Sequence, residues 1–576
     1  MKKYVVLLIV ILILLGAGLL HGGGAASVPP EPAPAVAVAP EDEDVRPSPA
    51  YALAYTMDES ITLTFSEGGH FFSRGVMAAI TASHPGATIY YTLDGSHPSH
   101  PTSASRRYMG TLLFPAPEAG LRVVVVRAVA VYGEYTSGVF THTYFIGADI
   151  DERFGADMLV FSLAADPYDL FDHYSGILVP GFLREQWIAM HPRRNIVPTD
   201  PANFNWRGRE GERPVHVEVF SPDGERLLVQ RAGIRAHGAW SRAYAQLSLR
   251  LVPRREYEPG RGQFHFPFFP GDMRQDGSGN PIRRYDSIIL RNGGNDRRFG
   301  MLRNEVGSLL AREVGLPVVT PVRPAAVFLN GEYWGFAWLQ VRIDAHYLQE
   351  MFDAPTRSFD VVHQGELWID TDCPVQREAI EYKNAFAGKN LRDDAVFARL
   401  EAILDIEDML RYYAFKIFMG AEDWPHNNLR RWRYTGPQTE GLPPQLDGRW
   451  RYVVVDLDWT LGLYGPDHNL PTFRRVLEDR NNYGALLRNV LTRPDMLARF
   501  AQIMEEVIDT VTATAVQETI AHLFAQSEGE IDHALAAGKY EHWVNRYTIT
   551  QNHENMIRFA RGRGRVMREG LARLMG

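Results

Sequence analysis

Cysteine is almost missing from this chain. A single residue, Cys373, occurs among 576, so an internal disulfide is excluded, and we interpret its side chain as an inert thiol rather than a nucleophile. Basic residues are not in excess either: 60 Lys and Arg stand against 69 Asp and Glu, a formal net charge of −9, which argues against nucleic acid as a partner. The motifs H-E-x-x-H and G-x-S-x-G are also missing, which argues against the hydrolases that use them.

Long apolar runs are scarce, with one exception at the N-terminus. Lys2 and Lys3 precede an unbroken apolar run over residues 4–20, and small residues follow it. Residues 1–27 are therefore predicted to be a secretory signal peptide or a membrane anchor, and both alternatives stay open. In either case the remainder is expected to be exported, extracellular or at the cell surface, with membrane contact only through residues 4–20. The Pro- and Ala-rich residues 28–51 are predicted to be an extended linker.

Residues 52–147 have a different pattern, in which short alternating runs are separated by turn signals such as HPG and DGS. This spacing predicts a β-sandwich. The words ATIYYTLDGSHPS and VVRAVAVYGEYTSGVFTHTYFIG resemble the chitobiase/β-hexosaminidase C-terminal-type module, a fibronectin-like sandwich. The resemblance implies either a passive spacer or a domain that contacts cell-wall glycan.

Residues 155–576 are predicted to be mixed α and β. The front part contains strand-like runs and one helix over Leu302 to Glu313, and the rear part from about residue 402 is mostly helical. Apolar residues at helical spacing predict a helix from Ile406 to Phe418, which Asp405 would cap with Asp408 in the box position, and which Gly420 would end.

Four polar residues that follow this helix are candidates for a catalytic and metal-binding site. Asp423 and Asn428 lie in one loop, and Asp456 and Asp458 come after the next two predicted strands. Protein kinases use the same order: a catalytic Asp, an Asn that holds metal five residues later, and then an Asp that holds the metal of the nucleotide. Since Asp456 and Asp458 are two apart on a predicted strand end, we expect both carboxylates on one face, where they can share a magnesium ion.

Several phrases in this part resemble the CotH family of spore-coat-type protein kinases. They are GIRAHGAWSRAYAQLSLRL, YDSIILRNGGND, AVFLNGEYWGFAWLQVRIDAHYL, EDWPHNNLRRWR and RWRYVVVDLDWTLGL. The resemblance implies a bilobal atypical protein-kinase-like domain with a helical C-terminal part, and use of ATP and Mg²⁺. Asp423 corresponds to the catalytic base, and Asn428, Asp456 and Asp458 to metal ligands. The protein is thus expected to be a multidomain α+β chain whose substrate is a surface or coat protein.

Two positions depart from the family pattern. Leu247 occupies the position of the lysine that binds the nucleotide phosphates in the family, and Val341 occupies a position where the family usually has Glu. If these two side chains touch, their joint replacement would avoid a stranded buried charge. Arg235, Ser241 and Arg242 surround the expected phosphate-covering turn and are predicted to bind the nucleotide instead. The polar loop Asn292–Asp296 either lines the nucleotide cleft or is a plain β-to-helix turn.

Two functions follow from these features. The first is an exported CotH-like protein kinase that transfers the γ-phosphate of ATP to protein Ser or Thr, impaired by Leu247. The alternative is a pseudokinase that acts as a surface scaffold, with the sandwich bound to the wall or to a partner. A glycan-degrading activity is disfavoured, because the sandwich segment carries no pair of catalytic carboxylates.

Overall fold

The computed structural model describes residues 55–98, 104–364, 384–478 and 484–576, together with Val375. The predicted leader, the predicted linker and Cys373 lie outside the described residues. All described residues belong to one compact unit, Ser48–Gly576. Among them, no helix is both long enough and apolar enough to cross a membrane.

The first part of the unit is built from short strands around the long strand β9, and its strand pairs are antiparallel except for β1 with β10 and β3 with β11. The main sheet has the order β1-β10-β9-β11-β3, with β6 paired to the other edge of β9 and β7 paired to β6, while β2 pairs with β5 and β4 with β8. Inward-facing residues such as Ile80, Val126 and Tyr144 form its core. The strands are β1 Thr56–Met57, β2 Leu63–Phe65, β3 His70–Phe72, β4 Val76–Ala78, β5 Ile80–Ala82, β6 Thr88–Thr92, β7 Arg106–Arg107, β8 Leu112–Phe114, β9 Arg122–Tyr132, β10 Tyr135–Thr136 and β11 Phe140–Ile146.

A closed barrel of seven strands follows, in the order β12-β13-β14-β15-β18-β20-β19, and the parallel pairing of β19 with β12 closes it. Asn330 and Gly331 both have positive φ in the tight turn between β19 and β20, as the sequence Asn-Gly favours. The strands are β12 Leu159–Ala164, β13 Arg213–Phe220, β14 Arg226–His237, β15 Ser248–Val252, β18 Ile288–Arg291, β19 Val322–Leu329 and β20 Glu332–Gln340, with β16 Phe264–His265 and β17 Arg284–Tyr285 forming a separate hairpin.

This first part of the unit, the predicted sandwich, packs directly on the barrel through buried phenylalanines. Phe145 of β11 lies with its ring centroid 5.1 Å from that of Phe71, 5.3 Å from that of Phe220 and 5.1 Å from that of Phe328. Phe220 and Phe328 belong to barrel strands, and all four rings are buried. The first module is therefore joined to the barrel by a shared hydrophobic core as well as by the chain.

The remaining regular secondary structure of the described residues is mainly helical, apart from a three-stranded sheet of β21 Phe359–Gln364, β22 Leu429–Tyr434 and β23 Arg451–Val453. A β-rich front and a helical rear agree with the predicted mixed α and β class, while the bilobal kinase layout stays a prediction. The helices are α1 Pro167–Phe171, α2 Gly181–Met190, α3 Arg303–Glu313, α4 Ala345–Phe352, α5 Asp394–Glu401, α6 Ile406–Phe418, α7 Ala485–Val490, α8 Pro494–Thr510, α9 Ala513–Ala536 and α10 Arg546–Met575.

Helix α6 confirms the predicted bounds and most of the predicted signals. The Asp405 side chain accepts a hydrogen bond from the backbone N–H of Asp408 at 3.1 Å, and Gly420 has a φ of 67° just after the last turn. The capping-box role of Asp408 was wrong. Its carboxylate instead accepts from the backbone N–H of Tyr452 at 2.7 Å, which ties the start of α6 to β23.

Asp408 should make stability depend on pH. Burial raises the pKa of its carboxyl to about 7, with a further contribution from Asp405, so the folded protein keeps a proton that the unfolded chain releases near 4. This contribution to stability is complete at about pH 4 and is lost as the pH rises toward 7. Asp408→Asn keeps an acceptor for Tyr452 and removes the ionisation. We expect it to raise the free energy of unfolding at pH 8 by on the order of 3 kcal/mol.

Denaturant unfolding at pH 4.5, 6 and 8 measures this effect. The difference between Asp408→Asn and the unmodified protein should shrink as the pH falls. Asp394→Asn is the control, since the Asp394 side chain is 90% exposed. A constant difference between Asp408→Asn and the unmodified protein across the pH range would show that the Asp408 carboxyl is ionised throughout.

Candidate active site

The loop after α6 holds the first part of the site. The Asp423 carboxylate accepts hydrogen bonds from two neighbouring amides: Asn428 Nδ2 lies 3.0 Å from Oδ2, and Asn427 Nδ2 lies 3.3 Å from each oxygen. His426 Nε2 lies 3.5 Å from Asp423 Oδ1. Asn428 has a left-handed φ of 52°, a conformation that Asn tolerates better than most residues. The structure therefore brings together the Asp and the Asn that the spacing singled out.

Asp456 and Asp458 follow β23 and form the second part. The prediction that they share one face of a strand end was wrong, because β23 ends at Val453 and Asp456 has a left-handed φ of 52°. The two carboxylates still converge, on Arg291 at the end of β18. Arg291 Nη2 lies 3.1 Å from Asp456 Oδ1 and 3.2 Å from Asp458 Oδ2.

The two acids differ in their surroundings. The Asp456 side chain is 41% exposed and that of Asp458 only 4%. Burial and the neighbouring Asp456 carboxylate raise the pKa of Asp458, while the Arg291 guanidinium opposes that shift. The same two carboxylates raise the pKa of Arg291. The pair thus has one solvent-accessible and one enclosed carboxyl, held by a shared cation.

A buried lysine connects the two parts of the site. Lys416 of α6 has no exposed surface, and its Nζ lies 3.4 Å from the carbonyl oxygen of Val455. Desolvation lowers the pKa of Lys416 to about 8, and the charges of Asp456, Asp423 and Asp458 oppose this shift. All three predicted site carboxylates therefore lie within electrostatic reach of one ammonium group.

The polar loop Asn292–Asp296 both joins β18 to α3 and lines the acid pair. The backbone N–H of Asn295 donates to Asp458 Oδ2 at 2.7 Å. Gly294 has a φ of 58°, and a Cβ there would meet Arg291 Nη2 at 2.3 Å and Asp458 Oδ2 at 2.4 Å. Only glycine allows the backbone to approach the ion pair this closely. The loop is therefore a β-to-helix turn that also contacts the acid pair, and its place in a nucleotide cleft stays a prediction.

The residues predicted to bind the nucleotide are placed less favourably. The Arg242 guanidinium is buried and donates to the carbonyl oxygens of Phe204, Ala236 and Gly238. Arg235 donates to the Gly208 carbonyl at 3.1 Å and lies 3.7 Å from Glu212. The Ser241 backbone carbonyl accepts from Asn292 Nδ2 at 3.4 Å, so the predicted covering turn lies next to the polar loop. Of the three, Ser241 is nearest by contact to the acid pair, and the two arginines are engaged elsewhere.

The proposed contact between Leu247 and Val341 was wrong. Strand pairing sets Leu249 opposite Leu290 and Leu290 opposite Leu339, and Leu247 lies two residues before Leu249 whereas Val341 lies two residues after Leu339. Val341 is therefore two strands across from Leu247 and four residues along the strand, which is about 13 Å in the strand direction alone. Both side chains are buried in the same hydrophobic cluster but do not form a pair.

Sequence reasoning missed three site residues: Arg291, Lys416 and Arg475. Arg475 donates to the backbone carbonyls of Ala421, Glu422 and Trp424, so it holds the loop that carries Asp423. The sequence pattern could have indicated Lys416, because it is a lone lysine in an otherwise apolar stretch of α6. No local sequence pattern indicates Arg291 or Arg475, because their partners are more than 50 residues away in sequence.

Comparison with known families identifies the family of this chain. The family model described as CotH kinase protein matches residues 234–567, which is more than half of the chain and includes every site residue named above. The chain belongs to the CotH kinase family. A second model, described as Fn3 associated, matches residues 78–144 within the sandwich. A search of curated proteins found no match to this chain.

The donor set of this CotH domain fits a magnesium–nucleotide complex better than a metal ion alone. No group of three or more His, Cys, Asp or Glu side chains in the described part of the chain is arranged to hold a metal ion. Asn428, Asp456 and Asp458 offer one amide and two carboxyl groups, and Mg²⁺ is commonly held by one or two carboxylates together with substrate phosphates. The nucleotide would thus supply part of the coordination.

Proposed function

We propose that this CotH-family protein is an exported or surface-anchored protein kinase that transfers the γ-phosphate of ATP to Ser or Thr of a surface or coat protein. One observation carries the proposal: the loop with Asp423 and Asn428 and the loop with Asp456 and Asp458 come to the same buried lysine, Lys416, whose Nζ lies 3.4 Å from the Val455 carbonyl oxygen and whose charge interacts with all three carboxylates. Three acids gathered around one buried cation are costly for folding, and such clusters occur where chemistry needs them.

Each residue has a distinct part in the proposed reaction. Asp423 accepts the proton of the acceptor hydroxyl. The side-chain amides of Asn427 and Asn428 donate hydrogen bonds to its carboxylate and hold it in position for this step. Arg475 fixes the loop that presents Asp423. Asn428, Asp456 and Asp458 would hold Mg²⁺, and the bound Mg²⁺–ATP supplies the phosphoryl group and neutralises charge on it. Lys416 keeps the acid cluster from repelling itself.

A second candidate function is favoured by the Arg291 ion pair. Arg291 already neutralises both Asp456 and Asp458, the residues that would hold the metal. A protein in which this pair never opens would be a pseudokinase scaffold, with the sandwich as its docking part for wall glycan or a protein. Export rests on the predicted N-terminal segment in both cases.

Nucleotide binding separates the two candidates. Isothermal titration of the full-length protein with ATP, in the presence and absence of Mg²⁺, should show binding that requires the metal and weakens in Asp456→Asn. A kinase predicts both results. If ATP affinity depends neither on Mg²⁺ nor on Asp456, or if ATP does not bind, the kinase proposal fails and the pseudokinase scaffold is the remaining function.

A further inference from the structure

Leu247 and Arg291 lie on opposite faces of neighbouring barrel strands. Leu247 belongs with Leu249 and Leu251 to the cluster that fills the barrel, and Ile288 and Leu290 of β18 belong to the same cluster. Because side chains alternate along a strand, Arg291 points to the outer face. Its neighbour across the ladder, Trp338, packs in the outer cluster with α3 and α6. The outer face is the one that carries the acid pair.

The Arg291 guanidinium is only partly used. Its Nη2 contacts both carboxylates, but Nη1 is buried and has no hydrogen-bond partner among the described residues. A buried donor without a partner costs about 1–3 kcal/mol, so an unfilled donor next to an acid pair calls for an explanation. A bound anion would satisfy it.

Glu305 of α3 interacts electrostatically with this arginine. It is buried, accepts from Asn304 Nδ2 and Gln340 Nε2 at 3.0 Å each, and its charge raises the pKa of Arg291. The strand before the helix therefore carries a cation and the helix carries an acid. Kinases use this order for the residue that holds the nucleotide phosphates and for the Glu that supports it.

From these positions we infer that Arg291 is the phosphate-binding cation of this chain, the role that is lost at Leu247. The forked guanidinium keeps Nη2 on the carboxylates of Asp456 and Asp458 and offers Nη1 to a phosphate oxygen of the nucleotide. A lysine, which is a single point charge, cannot divide its donors in this planar way. The inference rests on the proposed function and names the residue that recognises the phosphates of ATP.

The binding affinities for ATP and for adenosine test the role of Arg291 without an activity measurement. In Arg291→Met, the affinity of the full-length protein for Mg²⁺–ATP should fall roughly 10- to 100-fold, because a charge-assisted hydrogen bond is lost. The affinity for adenosine, which has no phosphate, should stay within about twofold. Arg565→Met is the matched control, since the Arg565 side chain is 61% exposed and contacts only Glu569 of its own helix among the ion pairs of the described residues; it should change neither affinity.

The remaining outcomes decide against the inference. If Arg291→Met loses as much affinity for adenosine as for ATP, Arg291 is a structural counter-ion. If its affinity for ATP is unchanged, Arg291 does not contact the nucleotide phosphates. Unmodified protein that binds no ATP would overturn the proposed function as well, so the two failures are distinguishable. If Arg291→Met does not fold, Arg291→Lys keeps the charge; its ATP affinity should fall about 3- to 10-fold with adenosine unaffected, and full ATP affinity would contradict the forked arrangement.

Discussion

Phosphate transfer by Asp423→Asn should be slower than that of the unmodified protein by roughly 10²- to 10⁴-fold, the contribution typical of a general base. The amide cannot accept the proton of the acceptor hydroxyl. It still offers an oxygen to Asn427 and Asn428, which donate to Asp423 in the unmodified protein. The loop should therefore keep its shape, and ATP affinity should change by no more than about threefold. Labelled-phosphate transfer and calorimetric ATP binding, measured on the same preparation, check both parts.

Asp509→Asn is the control for this substitution, since the Asp509 side chain is 78% exposed and far from the site in sequence. It should transfer phosphate at the unmodified rate. Transfer by Asp423→Asn at the same rate as the control would remove Asp423 from the catalytic role. A matching loss of ATP binding would instead make Asp423 a nucleotide or metal residue.

Phe145→Ala should destabilise the barrel as well as the sandwich. Phe145 is fully buried and its ring meets rings from both modules, so its removal leaves a cavity at their junction. Loss of a buried Phe costs about 3–5 kcal/mol. If the two modules share one core, the denaturant midpoint should fall, and hydrogen exchange should become faster in the barrel strands β13 and β19 as well as in β11.

The matched control is Phe171→Ala, because Phe171 is 44% exposed and the change should stay within about 0.5 kcal/mol. A passive spacer predicts a different pattern. In that case Phe145→Ala would speed exchange in the sandwich strands alone, and the barrel would unfold at the unmodified midpoint.

Features set by neighbouring residues could be predicted from the sequence. Helix α6 begins after Asp405 and ends before Gly420 because a cap and a left-handed glycine mark its ends locally. The Asn330-Gly331 turn and the Asp423–Asn428 loop are equally local. For the same reason, the five-residue spacing of Asp423 and Asn428 was enough to predict that the two side chains come together.

Features set by packing across the chain could not be predicted. Whether Arg242 faces a cleft or a set of carbonyls depends on how the segment around Phe204 folds against it. Arg291 reaches Asp456 across 165 residues, and nothing in its own neighbourhood marks it. The arginines that flank Leu247 in sequence were therefore predicted to replace the missing lysine, whereas the cation at the acid pair, Arg291, comes from the next strand of the barrel.

Transfer of labelled γ-phosphate from ATP to protein is the most direct test of the account. The full-length protein, incubated with Mg²⁺ and either alone or with casein as an acceptor, should place label on Ser or Thr. Labelling should require Mg²⁺ and should be lost in Asp423→Asn. Magnesium-dependent ATP binding without any labelling, or labelling that persists in Asp423→Asn, would contradict a kinase built on these residues.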